Sequence, residues 1–406
     1  MPNFRRQRYL GKILPFVGKP LVKVLLGQRR VGKSYVMGQL IDELKILHPN
    51  SQILYVNKEW DEFSQIQNND DLLGYVLENV KEGVINFLLV DEVQEIRDFE
   101  KAVRNLLAKE TCDIYLTGSN AAILSGELAT FLSGRYVTIE VFGLDFEEFL
   151  QFHQLEATFE SLQLYVKFGG MPFLHHLVLD GNAPFEYLKN VYSSILLKDV
   201  VAREGIRNVF LLENLVSFLA DNIGSLLSAN NIHRFLKSQK INLSVPVIIN
   251  YLHALTNAFV VHKVPRSEVG GLKIFEVGEK YYFEDLGLRN AIIGYNPAKD
   301  LHKLLENLVY LHLKRMGYAV FVGKLGDKEV DFVAEKEGIK MYVQVTLTLA
   351  AESTRQRELG NLQQIGDNYP KYAVTWNDPY SQGDWGGIIQ LNILDFLTKI
   401  PTRNNI

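Results

Sequence analysis

The sequence predicts an α/β protein led by a doubly wound parallel sheet. Three observations carry that expectation. A Gly-rich loop, "GQRRVGKS" (27–34), stands between a β-rich run and a helical run. A second apolar run, "INFLLVDEVQ" (85–94), ends in two adjacent acids. Five strand-like runs alternate with helical stretches up to residue 141, and such alternation marks a parallel sheet with helices on both faces.

The bulk properties set limits. A chain of 406 residues suits roughly two to four domains, each with its own core. With 47% hydrophobic and 22% charged residues it has an ordinary globular composition. A net charge of −4 supplies no global basic field for nucleic acid. The single cysteine, Cys112, excludes an internal disulfide framework and fits a reducing compartment. No apolar run approaches the ~18 residues of a membrane span. The basic and then apolar start has the outline of a signal peptide, but Lys19 and Lys23 interrupt it and no small-residue cleavage site follows. The expectation is a cytoplasmic protein with no membrane partner.

The first element is the strand "LVKVLLG", which runs into the loop. Gly27, Gln28, Arg29, Arg30, Val31, Gly32, Lys33 and Ser34 satisfy G-x-x-x-x-G-K-[ST]. The glycines let backbone N–H groups curl round phosphate oxygens. Lys33 offers a cation to the β and γ phosphates, and Ser34 a hydroxyl to Mg²⁺. The helix "KSYVMGQLIDELKIL" then adds its positive end. Next come the strand "SQILYVN" (51–57) and the acid strand. In such sheets ligands bind at the C-terminal strand edge, where Asp91 would hold Mg²⁺ and Glu92 would take a proton from an attacking water. "CDIYLTGSN" (112–120) and "RYVTIEV" (135–141) complete the sheet. A strand inserted between loop strand and acid strand, with Glu beside the Asp, is the pattern of ATP hydrolases.

"VFGLDFEEFLQF" opens a helical region, with Asp145 as cap and Glu148 as its capping-box partner. Residues 142–200 read as a small helical lid. Residues 201–295 resemble a winged helix: helices, among them one capped by Ser228, then "FVVHKVP" and "LKIFEVGEKYYFED" alternating like a wing hairpin. The expected reading helix, 243–258, contains no Lys, Arg, Asp or Glu. DNA affinity rests on neutralising phosphates, so a structural or partner-binding role is favoured, although Asn250, His253 and Asn257 suit base contacts. Residues 297–406 run helix, three strands, helix, strand, the core order of restriction-endonuclease-like nucleases. Asp331 holds the acid position, with Glu306 on the preceding helix. The E-x-K position reads Gln344-Val345-Thr346, without the second carboxylate or the lysine, so the site reads as degenerate. Asp331 and Glu329 also suit surface pairing with Lys324, Lys328 or Lys340. The expected domains are 1–141, 142–200, 201–295 and 297–406.

Together, "GQRRVGKS", "LLVDEVQ", "IYLTGSN", "LSGRYVTIEVFGLDFEEFL", "FGGMPFL", "EVDFVAEKEG" and "ELGNLQQIGDNYPKYAVT" resemble a family of prokaryotic AAA-like ATPases. These have a P-loop domain, a winged-helix-like middle and a C-terminal nuclease-like domain of unknown function. The resemblance implies ATP binding and Mg²⁺-dependent hydrolysis by Lys33, Ser34, Asp91 and Glu92. By likeness to AAA+ proteins, Thr117 or Asn120 would orient water, and Arg135 would be an arginine finger reaching a neighbouring subunit. A plain turn or cap at T-G-S-N, and a salt-bridging Arg135, suit the same residues. The leading expectation is an ATP-hydrolysing switch that repositions its C-terminal domains, with an unknown protein partner and possible self-assembly. A DNA-processing protein and a non-hydrolysing nucleotide-dependent scaffold are the alternatives.

Overall fold

The computed structural model describes residues 4–124, 132, 134–269, 274–378 and 383–399, with backbone alone for 274–277. The chain divides into two compact units. One comprises Met1–Gly143 with Asn257–Phe259, the other Leu144–Thr256 with Val260–Ile406.

The first unit is built on β1 (Val22–Leu26), β2 (Gln52–Asn57), β3 (Asn86–Asp91), β4 (Asp113–Gly118) and β5 (Tyr136–Glu140). All neighbours are parallel and the order is β2-β3-β4-β1-β5. The expected strands are therefore present, but their adjacency differs from chain order. The strand between loop strand and acid strand is β4, whereas β2 stands at the edge. Every residue of β1 is buried, which explains its unbroken apolar run. Lys23 is the exception in chemistry only: its ammonium binds the Lys19 carbonyl at 2.9 Å and the Asp113 carboxylate, and it is fully buried. The lysine that interrupts the apolar start is thus paired inside the sheet.

The helix Lys33–Leu47 follows the loop and buries Val36, Met37, Leu40 and Leu44, spaced i, i+1, i+4, i+8 along one face. Behind the loop, fully buried Arg6 donates to the carbonyls of Val31 (2.8 Å) and Phe142 (3.0 Å).

The second unit begins with the helices Phe146–His153, Phe159–Phe168 and Ala183–Ser194. Asp145 and Glu148 form the expected capping box, a device worth about 1 kcal/mol at a helix start. The Gly169-Gly170 pair has a packing reason. A Cβ on Gly170 would lie 2.2 Å from the Leu144 carbonyl oxygen, and one on Gly169 2.3 Å from the Asp285 carboxylate. Asp285 accepts the Gly170 N–H at 2.7 Å while capping the helix Leu286–Ile293 through Leu288 N–H at 2.9 Å.

The helices Val209–Asp221, Ala229–Ser238 and Val245–Asn257 follow, the second capped by Ser228. The uncharged helix Val245–Asn257 turns Ile248, Tyr251, Leu252, Ala254 and Leu255 inward, while Asn250 and His253 are exposed. The strands expected as a wing, β6 (Val261–Glu268) and β7 (Ile274–Phe283), form an antiparallel hairpin, with residues 272–273 outside the described set. This hairpin extends a larger sheet rather than standing alone. After the helix Pro297–Arg315 come β8 (Ala319–Leu325), β9 (Lys328–Lys336) and β10 (Ile339–Thr346). The helix Glu352–Gln363, β11 (Lys371–Thr375), β12 (Gly383–Asp384), β13 (Ile388–Asn392) and the helix Ile393–Lys399 complete the unit. The sheet order is β12-β13-β11-β10-β9-β8-β6-β7. β6 joins β8 in parallel through Arg266, Ser267 and Glu268.

Candidate functional site

Five parallel strands end at one edge of the first sheet, and the polar residues of interest other than Arg135 gather there. The Gly-rich loop leaves β1 and turns through Arg30 (φ 70°) and Gly32 (φ 95°) into the helix Lys33–Leu47. Gly27 is required by space: a Cβ would lie 2.0 Å from the backbone oxygen of Val141. Val31 is buried in the core, while Arg30 and Ser34 are exposed. Lys33, 4% exposed, folds back over the loop. Its Nζ donates to the carbonyls of Gly27 (3.0 Å) and Gln28 (3.1 Å) and lies 3.5 Å from Glu92 Oε1. The loop cation and the proposed base therefore meet directly. Buried Gln28 points elsewhere, donating to the Phe259 carbonyl at 2.8 Å. Arg29 lies 3.7 Å from Glu59.

Asp91 and Glu92 differ in setting although adjacent. Asp91 ends β3, is 1% exposed, and accepts hydrogen bonds from the hydroxyls of Thr117 and of Tyr55 (3.2 Å). Glu92 takes a left-handed backbone (φ 55°, ψ 51°), a conformation that costs a non-glycine residue about 1–3 kcal/mol. That sharp turn aims its carboxylate at Lys33. Ser119 donates to Glu92 Oε2 at 3.2 Å, and the Gln94 amide donates to the same oxygen. Burial opposes ionisation of Glu92, but Lys33, Arg29 and the hydrogen bonds from Gln94 and Ser119 outweigh it. The carboxyl is held below its ordinary value.

Thr117 is fully buried; its Oγ accepts the Glu92 N–H at 2.9 Å and donates to Asp91. These two hydrogen bonds fasten β4 to the acid strand. Asn120 Oδ1 accepts the Ala122 N–H at 2.7 Å, so this oxygen caps the following turn. Arg135 is exposed and precedes β5, where its carbonyl accepts the Val22 N–H at 3.0 Å. Val22 begins β1 and Leu26 ends it, a strand length of roughly 16 Å at 3.3 Å per residue. Arg135 therefore sits at the sheet edge opposite the loop.

Sequence reasoning gave no role to Tyr55, Gln94 or Ser119. The last two stood in the runs "LLVDEVQ" and "IYLTGSN", and their signal was a polar side chain within three residues of a strand end. The hydroxyl of Ser34 and the carboxylate of Asp91 suit Mg²⁺, which prefers hard oxygen ligands and keeps bound water.

In the second unit the structure brings Glu306, Asp331 and Gln344 together. Asp331 Oδ2 accepts the Val345 N–H at 2.8 Å. Gln344 accepts the Asp331 N–H at 3.3 Å and donates to Glu358 at 2.9 Å. Thr346 ends β10 in register with Thr375. The pairing expected for Asp331 and Glu329 is corrected: both face Lys280 of β7, while Lys340 pairs with Glu335 at 2.8 Å. The lysine comes from a strand that sequence order places far from the acids.

Comparison with known proteins places these residues. Residues 19–150 match a family model described as an AAA domain, and residues 159–299 match a domain of unknown function (DUF8612). An uncharacterized protein of Haemophilus influenzae is 35% identical over 400 residues, covering 97% of this chain and 98% of its own length. The chain belongs to the family of that protein. An uncharacterized protein of Methanocaldococcus jannaschii is similar as well, 30% identical over 381 residues that span 88% of this chain and 82% of its own. The crystal structure of Cdc6p from Pyrobaculum aerophilum is 13% identical with a TM-score of 0.31, covering 70% of this chain and 91% of that one. The stretch that matches the AAA domain model, residues 19–150, contains all five strands of the parallel sheet. The Gly-rich loop, both acids, Thr117, Asn120 and Arg135 all fall within the AAA domain. No helix among the described residues is long and apolar enough to cross a membrane.

Proposed function

We propose that the chain binds ATP with Mg²⁺ at Gly27–Ser34 and hydrolyses it, using nucleotide state to reposition its C-terminal part. The observation that carries this reading is the 3.5 Å pair between Lys33 and Glu92. It joins a phosphate-binding cation to a general base at the ligand-binding edge of the sheet. Ser34 and Asp91 would hold the Mg²⁺, which supplies charge stabilisation to the phosphates. An arriving phosphate competes for Lys33 and so frees one oxygen of Glu92. Glu92 then accepts the proton of the attacking water, with Ser119 and Gln94 fixing its other oxygen. The switch draws support from Gln28, which leaves the loop to hold Phe259; that residue continues covalently into β6.

The direct test is ATP turnover of pure protein, alone and with single-stranded, duplex and branched DNA. Mg²⁺-dependent turnover insensitive to DNA is expected. Absence of turnover under all conditions would favour the non-hydrolysing scaffold, and a large stimulation would favour the DNA-processing alternative. Arg135, remote from its own loop, is assigned as a finger acting on a second copy. Arg135→Ala should lower turnover by ~10³-fold with nucleotide affinity retained, and wild-type specific activity should rise with protein concentration. Full activity in a strictly monomeric protein would exclude that role.

A pH profile probes the clamp on Glu92. Its depressed folded value means the base stays ionised, and its contribution to stability persists, until pH falls below the ordinary carboxylate range. Removing the Ser119 hydroxyl takes away one of the groups that depress it. For Ser119→Ala, the acid limb of kcat/KM against pH should move to higher pH. An unmoved limb would show that the hydroxyl does not act on the base.

A further inference from the structure

The second unit holds an acidic centre with its own cation. Glu306 comes from the helix Pro297–Arg315, Glu329 and Asp331 from β9, and Lys280 from β7. Lys280 Nζ lies 2.8 Å from Glu306, 2.8 Å from Glu329 and 3.7 Å from Asp331, and the residue is 2% exposed. Other protein groups pack on the same carboxylates. The Tyr282 hydroxyl donates to Glu306 at 2.6 Å. Gly224 (φ +73°) brings backbone so near that a Cβ there would lie 2.6 Å from Glu306 Oε2. Asp331 is held by the Val345 N–H, and the Gln344 amide is turned to Glu358.

The likeness of this element order to restriction-endonuclease-like nucleases would imply a divalent metal at the second-strand acid, with Glu306 able to add a carboxylate from the helix. These residues do not fit one. The volume between the carboxylates is taken by an ammonium, and no group of three or more His, Cys, Asp or Glu side chains among the described residues is arranged to hold a metal ion. An ammonium donates three hydrogen bonds and satisfies carboxylates as a hard cation does, yet it polarises no water for attack. The substitutions at Gln344 and Thr346 therefore accompany a deeper change at the metal position itself.

We propose that Lys280 is a resident cation standing where a divalent metal would sit, and that the centre is a metal-independent tie between β7, β9 and the helix Pro297–Arg315. Removing the ammonium while keeping the carboxylates should uncover a divalent-cation site. This inference does not depend on ATP turnover.

The probe is Mn²⁺ alone, without nucleotide, followed by electron paramagnetic resonance and equilibrium dialysis on the full chain. Any Mn²⁺ held at the loop site is common to all variants, so the informative quantity is the portion lost on Asp331→Asn. The wild type should show none, and Lys280→Arg none. Lys280→Met should gain about one Mn²⁺ per chain, bound by hard oxygen ligands, and lose it again in Lys280→Met/Asp331→Asn. Lys280→Met should also unfold at a lower temperature than wild type without metal and recover with Mn²⁺. A neutralised variant, Lys280→Met/Glu306→Gln/Glu329→Gln, should be insensitive to the metal. Asp331-dependent Mn²⁺ binding by the wild type would overturn the proposal. So would a folded Lys280→Met that binds none, or a Lys280→Met that stays unfolded with Mn²⁺ while the neutralised variant folds.

Discussion

Glu92→Gln is expected to lower ATP turnover by about 10²–10⁴-fold, the usual contribution of a general base, with nucleotide affinity close to that of the parent. The amide keeps the size of the side chain and still accepts from Ser119 and Gln94, but it cannot take a proton from water. Its loss of charge removes the partner that lies 3.5 Å from Lys33, so the ammonium is at least as available to phosphate as before. Lys33→Ala should behave in the opposite way. Affinity should fall by about tenfold or more, since the phosphates lose a desolvated, charge-assisted contact. Steady-state turnover and titration with a fluorescent ATP analogue separate the two effects. Parental turnover by Glu92→Gln would remove Glu92 from the role of base, and unchanged affinity in Lys33→Ala would remove the loop from nucleotide binding.

Arg289→Met should destabilise the second unit by about 3–5 kcal/mol, the cost of stranding one member of a buried ion pair. Arg289 is fully buried. Its Nε donates to the Ala220 carbonyl at 2.9 Å, one terminal nitrogen donates to Asn290 at 3.1 Å, and the other lies 3.1 Å from Asp300. Met retains most of the stem volume, so the loss isolates the charge and its hydrogen bonds. Asp300, itself 3% exposed, would be left without its main counter-charge. Arg289→Met/Asp300→Leu should recover much of the deficit, because no buried charge then remains. The midpoint of thermal unfolding should drop by roughly 2–4 °C per kcal/mol in a unit of this size. A loss below about 1 kcal/mol would show the pair to be solvated in practice, and no recovery in the double variant would point to packing instead.

The phosphate loop was legible because its chemistry is local. Gly27, Gly32, Lys33 and Ser34 sit within eight consecutive residues, and the strand and helix flanking them are each set by short-range periodicity. Asp91 and Glu92 were legible for a similar reason: a run of apolar residues that ends in acids puts them at a strand edge. The capping box at Asp145 and Glu148 and the cap at Ser228 depend on residues three apart and could be read directly.

What surrounds those residues was decided by the tertiary structure. Periodicity tells which face a side chain occupies, but not which strand lies beside it. The pairing of β4 with both β1 and β3 brings Thr117 and Ser119 against the acids, whereas chain order suggested that residues 51–57 would intervene. The parallel joining of β6 to β8 carries the hairpin into the larger sheet, and Lys280 thereby reaches Glu329 and Asp331 about 50 positions further along the chain. A pairing over that separation follows from loop closure and mutual burial of whole elements. The sequence determined the loop, its acids and the alternation of strands with helices; strand order determined what binds Glu92, why Thr117 is a fastener, and which cation fills the second acidic centre.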